Sequence, residues 1–291
     1  MKPVVTICIP TKTEVFLQKT TEDILAKATG EIEVIVVLNG YTLPENEIVK
    51  DERVRYLHYP AKPFNTKRQS INWAVKEAKG DYVMSVDAHC MFAKGFDEQL
   101  IKDHNPNWVQ VPRRHRLDAE NWTLQPQGDT RPPIDYEYIM FAPLIKDHSL
   151  HGFKWDERTN AEADIPIAET AEIQASCWFM TKEWFQRMGF MDVEKYSGWG
   201  QEAEEICLTT AKFGGYVMTN KNTWYAHLHK GDKYGRMYHL HQRGVRQSYE
   251  YVFNYWVVEE NEFFIKYIKR FPRMPSWPDN WESQIKSLVK K

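Results

Sequence analysis

Three stretches of this chain hold side chains whose types and spacing could do chemistry together. Asp87-Ala88-His89 places a carboxylate and an imidazole two residues apart just beyond an apolar run, where both can turn toward one divalent cation. The plain alternative is a turn residue beside a surface histidine. Trp224-Tyr225-Ala226-His227-Leu228-His229 offers two more imidazoles late in the chain, and His227, or His229 in its place, could complete such a site. The other of the two is then a core or an exposed histidine. In Ser197-Gly198-Trp199-Gly200-Gln201-Glu202-Ala203-Glu204-Glu205 the glycines permit close approach of a ligand. The helix that follows opens with carboxylates where its dipole keeps them ionised. Glu202 and Glu205 are three apart and share a face, which makes them the candidate catalytic carboxylates, whereas Glu204 reads as ordinary first-turn capping chemistry.

These residues need elements to position them, and the first half of the chain supplies a β-α-β pattern. Val4 to Ile9 reads as a strand, Thr21 to Ala28 as a helix closed by Gly30, and Ile32 to Leu38 as a buried strand ended by Asn39-Gly40. Arg53 to Tyr59 reads as a third strand and Asn65 to Ala78 as a helix. Asp81 to Val86 is the next strand, and it delivers Asp87 and His89 to its carboxyl end, where open α/β sheets bind ligands. Leu117 to Ala168, with Pro126, Pro132, Pro133, Pro143 and Pro166, reads as long loops that could serve as a lid. Ala175 to Thr181 is strand-like and is followed by a short helix to Met188. Gln201 to Phe213 is a helix, Tyr216 to Thr219 and Thr223 to Ala226 are strand-like, and a further helix runs from about Val245 to Val258. The expected architecture is an α/β domain with a mostly parallel central sheet over residues 1–230. An aromatic and basic extension follows over residues 231–291.

Composition narrows the function. The 291 residues carry 38 Lys+Arg against 40 Asp+Glu, a net charge of −2, which excludes a globally basic nucleic-acid coat and an acidic solvating tail. The longest apolar runs, Val4 to Pro10 and Val34 to Leu38, fall far short of the roughly 20 residues that a membrane helix needs. With no leader pattern at Met1-Lys2-Pro3 the expectation is a cytoplasmic protein with no membrane contact and no evident protein partner. Cys8, Cys90, Cys177 and Cys207 are dispersed, so buried thiols are expected rather than a zinc knuckle or disulfides. The chain lacks both the Gly-x-x-x-x-Gly-Lys-[Ser/Thr] loop and a Gly-x-Gly-x-x-Gly after its first strand. Ordinary phosphoryl transfer and dinucleotide redox chemistry therefore lose support.

The ordered series resembles GT-A glycosyltransferases of the family-2 type. It runs through Val4 to Lys12, Glu33 to Gly40, Asn72 with Ala78-Lys79-Gly80-Asp81-Tyr82, the Asp87-Ala88-His89 strand end and Trp199-Gly200-Gln201-Glu202. Asp87-Ala88-His89-Cys90 is especially similar to polypeptide N-acetylgalactosaminyltransferases. So is Trp199 to Glu205 beside their Trp-Gly-Gly-Glu-Asn-Leu-Glu. The resemblance covers roughly Met1 to Lys230 and implies a GT-A, Rossmann-like fold that transfers a sugar from a nucleotide donor, a uridine diphosphate sugar above others. It implies nucleotide-sugar contacts from Pro10, Thr11, Lys12, Asn39, Arg68, Asn72 and Trp199. Asp87 and His89 would sit on a metal-bound diphosphate, His227 would be the third protein ligand, and Glu202 would face the acceptor or the sugar. Mixed carboxylate and imidazole ligation with diphosphate oxygens favours Mn2+, with Mg2+ as the alternative. Asn39 stands where the family commonly has Asp. Ala203 stands where many inverting members place a catalytic Asp, which leaves Glu202 as the remaining nearby base.

The tail bears on the acceptor. Lys230, Lys233, Arg236, Arg243 and Arg246 are interleaved with Tyr234, Tyr238, His239, His241 and Tyr249, and Arg113, Arg114 and Arg116 form a second cluster. Cations neutralise phosphates and rings accept an unstacked base, as a nucleic-acid strand requires, although a solvated helix with core aromatics has the same composition. The tail also resembles bacteriophage glycosyltransferases that decorate hydroxymethylated pyrimidines. That resemblance implies 5-hydroxymethylpyrimidine in DNA as acceptor and the host cytoplasm as location. The alternatives are a surface glycan or a protein hydroxyl as acceptor, a metal phosphoesterase, and a non-catalytic nucleotide- or nucleic-acid-binding module.

Overall fold

A computed structural model describes residues 4–60, 67–125, 132–235 and 240–289. The chain begins with strand β1 (Val5–Thr11), helix α1 (Leu17–Lys27), β2 (Ile32–Asn39), β3 (Val54–Tyr59), α2 (Lys67–Glu77) and β4 (Tyr82–Val86). The four strands pair in parallel, β4 beside β1, β1 beside β2 and β2 beside β3. Every residue of β2 is buried, as its unbroken Ile32-Glu33-Val34-Ile35-Val36-Val37-Leu38 run requires of a strand covered on both faces. Each fully buried aliphatic side chain there contributes about 1.5–3 kcal/mol. The helices return their apolar stripes to this sheet through Leu17 and Ile24 of α1 and Ile71, Ala74 and Val75 of α2.

Beyond β4 come β5 (Cys90–Phe92), α3 (Phe96–Lys102), β6 (Trp108–Asp118), β7 (Thr123–Leu124), β8 (Glu137–Ile139) and α4 (Phe141–Lys146). They are followed by β9 (Gly152–Lys154), α5 (Asp156–Ala161), β10 (Ile167–Glu169), β11 (Cys177–Thr181), α6 (Lys182–Met188), α7 (Glu202–Lys212) and β12 (Tyr216–His227). The main sheet has the order β10-β12-β6-β11-β4-β1-β2-β3. β11 runs antiparallel to β4 and β6, while β12 runs parallel to β6. The two late strand segments expected from the sequence are one strand, β12, whose register shifts between Asn220 and Trp224. The region expected to be long loops is instead a series of short elements. Its aromatic and aliphatic side chains Tyr136, Tyr138, Ile139, Leu144, Leu150 and Trp155 are buried in the main core. Prolines break it into pieces too short to show a period, which is why the sequence pattern hides it. Pro126 lies outside the described residues.

The C-terminal part is helical: α8 (Gly231–Tyr234), α9 (Gln242–Val252), a π-helical segment over Phe253–Glu259, α10 (Asn261–Ile268) and α11 (Trp281–Leu288). The expected helix starts three residues earlier than the apolar pattern suggests, because His241 Nδ1 accepts a hydrogen bond from Gly244 N (3.2 Å) and caps it. Val252, Phe253, Trp256, Val257, Phe264 and Ile265 belong to the same core cluster as the sheet. All four cysteines are buried and free. Among the described residues no helix is long and apolar enough to cross a membrane.

Candidate active site

β4 ends at Val86, and Asp87 N donates to Ser176 O (2.8 Å) at the start of β11, which fixes Asp87 at the carboxyl edge of the sheet. The short strand β5 then pairs antiparallel with β12 in a register that sets His227 opposite Cys90, next to His89. Leu228 N donates to His89 O (3.1 Å) and closes the junction. Residues 138 positions apart are thereby brought side by side. His227 Nε2 lies 3.0 Å from His89 Nε2 and 3.4 Å from Asp87 Oδ2, and His89 Nε2 is 3.9 Å from the same oxygen.

The other carboxylate oxygen is already engaged: Lys67 Nζ donates to Asp87 Oδ1 (2.6 Å) and to Ala175 O (2.7 Å). Asp87 therefore presents one oxygen to the imidazoles. Burial opposes its charge, yet Lys67 and the two rings hold the carboxyl well below the usual carboxylate range. Burial pushes His227 down to about 3 against the pull of Asp87, so its ring is neutral and its nitrogen is available as a ligand. A divalent ion with bonds of about 2.1 Å needs ligand atoms roughly 3.0–3.5 Å apart. His227 Nε2 meets that requirement toward both His89 and Asp87, and the 3.9 Å between His89 Nε2 and Asp87 Oδ2 would have to close by a few tenths of an ångström around an ion. His229 lies beside His227, its ring centroid 5.3 Å away, and lines the cleft without joining the group.

Behind the group stands Glu14, in the turn between β1 and α1. Its Oε2 is 3.4 Å from His89 Nδ1 and 2.5 Å from Lys230 Nζ. Burial works against the charge of Glu14, but the imidazole and the ammonium hold its pKa below the ordinary value. At 3.4 Å Glu14 makes no hydrogen bond to His89 Nδ1, but it stands where a carboxylate could orient the far nitrogen of a ligating histidine. Neither Glu14 nor Lys67 stands out as a sequence motif. The signal that could have found Glu14 is its place in the turn at the carboxyl end of β1.

A cleft of about 580 Å³ opens over this group. One wall is formed by the strand ends, Pro10, Thr11 and Lys12 of β1 and its turn and Asn39 of β2. Asn39 Nδ2 donates to Ser70 Oγ (3.4 Å), and Thr11 Oγ1 is 2.6 Å from Tyr41 OH. The opposite wall is Ser197, Gly198, Trp199 and Glu202, with Gly231, Gly235, Leu240 and His241 closing one end. Trp199 is 39% exposed at the rim. Glu202 lines the cleft and is buried, and its Oε1 is an acceptor without a hydrogen-bond partner.

Several expected site residues lie elsewhere. Arg68 is wholly buried outside the cleft lining, where Nη1 pairs with Glu205 and Nη2 donates to Gly200 O (2.8 Å), with the guanidinium 4.1 Å from the Tyr196 ring. Glu205 also accepts from Asp192 N (2.6 Å), so it is a structural anchor rather than a second carboxylate facing the cleft. Asn72 exchanges hydrogen bonds with the backbone of Met191 (2.7 and 2.5 Å) and stands behind the site. Arg113 makes a bidentate pair with Asp135 (2.7 and 2.8 Å), and Arg114 pairs with Glu137 (3.0 Å). Arg114 is thereby held in a buried ion pair, whereas Arg113 stays partly exposed beside the buried Asp135, so neither presents an unpaired cation. Lys233 pairs with Glu120 on the surface. Arg243 and Arg246 are exposed on α9, and Arg246 Nε is 3.7 Å from Glu250. Arg236, Tyr238 and His239 lie outside the described residues.

Known proteins share the fold that carries this cleft. The chain is 28% identical over 163 residues to a putative polypeptide N-acetylgalactosaminyltransferase 13 of Drosophila melanogaster, a match covering 53% of this chain and 26% of that protein. It superimposes on GalNAc-T7, solved with UDP, GalNAc and Mn2+, with a TM-score of 0.62 at 16% identity over 99% of this chain and 54% of that one. It also superimposes on the mannosyltransferase PcManGT of Pyrobaculum calidifontis, solved with GDP-Man and Mn2+, with a TM-score of 0.52 at 12% identity over 99% of this chain and 70% of the other. These structural likenesses establish a GT-A-type fold, and the chain spans only about a quarter of its curated relative and half of GalNAc-T7. The sequence pattern described as "Glycosyl transferase family 2" matches residues 6–155, just over half of the 291 residues, and with the fold and the strand-end site in place the chain belongs to that family.

Proposed function

We propose that this protein transfers a sugar from a nucleoside diphosphate sugar to a hydroxyl acceptor with the help of a divalent cation. The observation that carries the reading is the convergence of Asp87 Oδ2, His89 Nε2 and His227 Nε2 on the floor of a cleft at the carboxyl ends of the strands. These three side chains would hold the ion, Mn2+ in preference to Mg2+ for a set of one carboxylate and two imidazoles. Bound there, the ion supplies Lewis-acid stabilisation of the negative charge that grows on the departing diphosphate. The bound Mn2+ of GalNAc-T7 and PcManGT supports this choice.

The remaining work falls to the chain's own groups. Pro10, Thr11, Lys12 and Asn39 form the wall that would take the nucleotide, a uridine by the likeness to GalNAc-T7. Trp199 offers a flat apolar face at the rim. Glu202 orients the acceptor hydroxyl or takes its proton, since it lines the cleft with a carboxylate oxygen that has no hydrogen-bond partner and Ala203 has no group to do so. Residues 1–230 would form the transfer domain, and the extension from residue 231 completes one end of its cleft.

The acceptor first to be tried is 5-hydroxymethylpyrimidine in DNA. It retains Arg243 and Arg246 on α9 as phosphate contacts and loses the support of Arg113 and Arg114. A glycan or a protein hydroxyl meets the same chemical requirement at Glu202. The test is incubation with Mn2+, a panel of uridine and guanosine diphosphate sugars, and hydroxymethylated DNA, unmodified DNA, an oligosaccharide or a Ser/Thr peptide. Release of nucleoside diphosphate together with a sugar-sized mass gain on one acceptor supports transfer. Nucleotide binding without release from any donor would return the protein to the class of binding modules.

A further inference from the structure

We propose that helix α9 of the C-terminal extension is a positioning element of the transfer site, holding the Ser197–Glu202 loop so that Glu202 stays in the lining of the cleft. This inference rests on the role given to Glu202 above. The loop and α9 meet backbone to backbone. A Cβ on Gly198 would lie 2.2 Å from Gly244 C and 2.3 Å from Val245 N, and a Cβ on Gly244 would lie 2.8 Å from Ser197 O. Neither position accepts a side chain without moving the main chain of the other. Hydrogen bonds then fix the register: Gly198 N donates to Ser248 Oγ (3.1 Å), which donates to Gly244 O (3.2 Å), and Ser197 Oγ donates to Gln247 Oε1 (3.0 Å). Ser248 is wholly buried.

The loop needs such support. Gly200 has φ +95° and Gln201 φ +62°, so two consecutive left-handed residues immediately precede Glu202, and the second is not glycine. A strained backbone of this kind persists where its surroundings over-determine it. Two sets of surroundings do so. From the sheet side Arg68 Nη2 holds Gly200 O at 2.8 Å, anchored in turn by Glu205. From the other side α9 packs the Tyr249 ring against Gly200 and presses Gly244 onto Gly198. The carboxylate at the start of α7 is therefore aimed by a helix whose Gly244 lies 46 residues beyond Gly198.

The test uses the full chain with Gly244→Ala and Ser248→Ala, and with Glu250→Ala, an exposed residue of the same helix, as control. The expected result is a fall in kcat of roughly 10–10²-fold for Gly244→Ala and a smaller fall for Ser248→Ala. The donor KM and the Mn2+ affinity measured by calorimetry should stay near wild type, while the thermal midpoint falls by a few degrees in both variants. Glu250→Ala should match wild type throughout. Hydrogen exchange reads the same clamp without turnover: amides of residues 197–202 should exchange faster in Gly244→Ala while those of residues 87–92 stay unchanged. Unchanged exchange of 197–202 overturns the proposal, as does a loss in which kcat, KM, metal affinity and thermal midpoint all move together. Faster exchange in a protein whose wild type transfers no sugar upholds the clamp and overturns the functional reading alone.

Discussion

The two walls of the cleft are built by different means. The side that carries Asp87, His89 and His227 is a product of strand pairing: Asp87 follows β4, His89 precedes β5, and the antiparallel match of β5 with β12 sets His227 beside them. Ladder hydrogen bonds determine those positions, and Glu14 and Lys67 only refine the orientation of rings and carboxylate. The opposite side is a loop with no ladder of its own. Its shape comes from Arg68 and Glu205 behind it and from α9 against it. In the proposed reaction, chemistry that needs fixed ligand distances would sit on the sheet, and chemistry that must meet a variable acceptor would sit on a loop that other elements hold in place.

Perturbing the two walls separately should give separable losses. The largest effect is expected from Asp87→Ala, His89→Ala or His227→Ala. Each should abolish Mn2+ binding in calorimetry and lower turnover by about 10³-fold or more, while circular dichroism stays native. His229→Ala should retain most of both, and the reverse order between the two late histidines would exchange their roles. Next, Glu202→Gln should lower kcat by about 10²–10⁴-fold with donor KM and Mn2+ affinity unchanged, because it removes an acceptor of the hydroxyl proton and leaves the sheet wall alone. A variant with wild-type kcat would reduce Glu202 to a helix cap.

A smaller loss is expected from Glu14→Gln, which keeps the shape of the side chain but removes its charge beside His89 and Lys230. Mn2+ affinity should weaken by about 10–100-fold while turnover at saturating metal largely recovers. No change in affinity would show that the ring is held by packing alone. The smallest effect belongs to Arg243→Ala with Arg246→Ala, both on the exposed side of α9. Stability should shift by no more than about 0.5 kcal/mol. Retention of hydroxymethylated DNA at low salt should drop if DNA is the acceptor, and unchanged retention would send the search to glycans and peptides.

The parallel half of the sheet and its ligand-bearing edge are legible in the residues themselves. Val34 to Leu38 can only be a strand covered on both faces, and an Asp-x-His just past such a strand falls at the edge where α/β sheets bind. Glu202 at the head of its helix is legible for a similar reason, since composition and spacing over a few residues determine local structure. What the tertiary structure decided are the pairings between distant positions. Glu205 reads like Glu202 in sequence, yet Arg68 draws it inward, and Arg113 and Arg114 read as a cationic patch until Asp135 and Glu137 neutralise them. The choice of His227 over His229 depends on the register of β12 against β5, because the two histidines are two residues apart and share strand parity, so that only the pairing of His227 with Cys90 decides which of them stands beside His89. Gly198 and Gly244 look like unremarkable loop and helix glycines until their backbones meet. Local order follows from near-neighbour sterics and hydrophobic period, whereas the partner of a buried charge or a bare backbone is settled only when the whole core has closed around it.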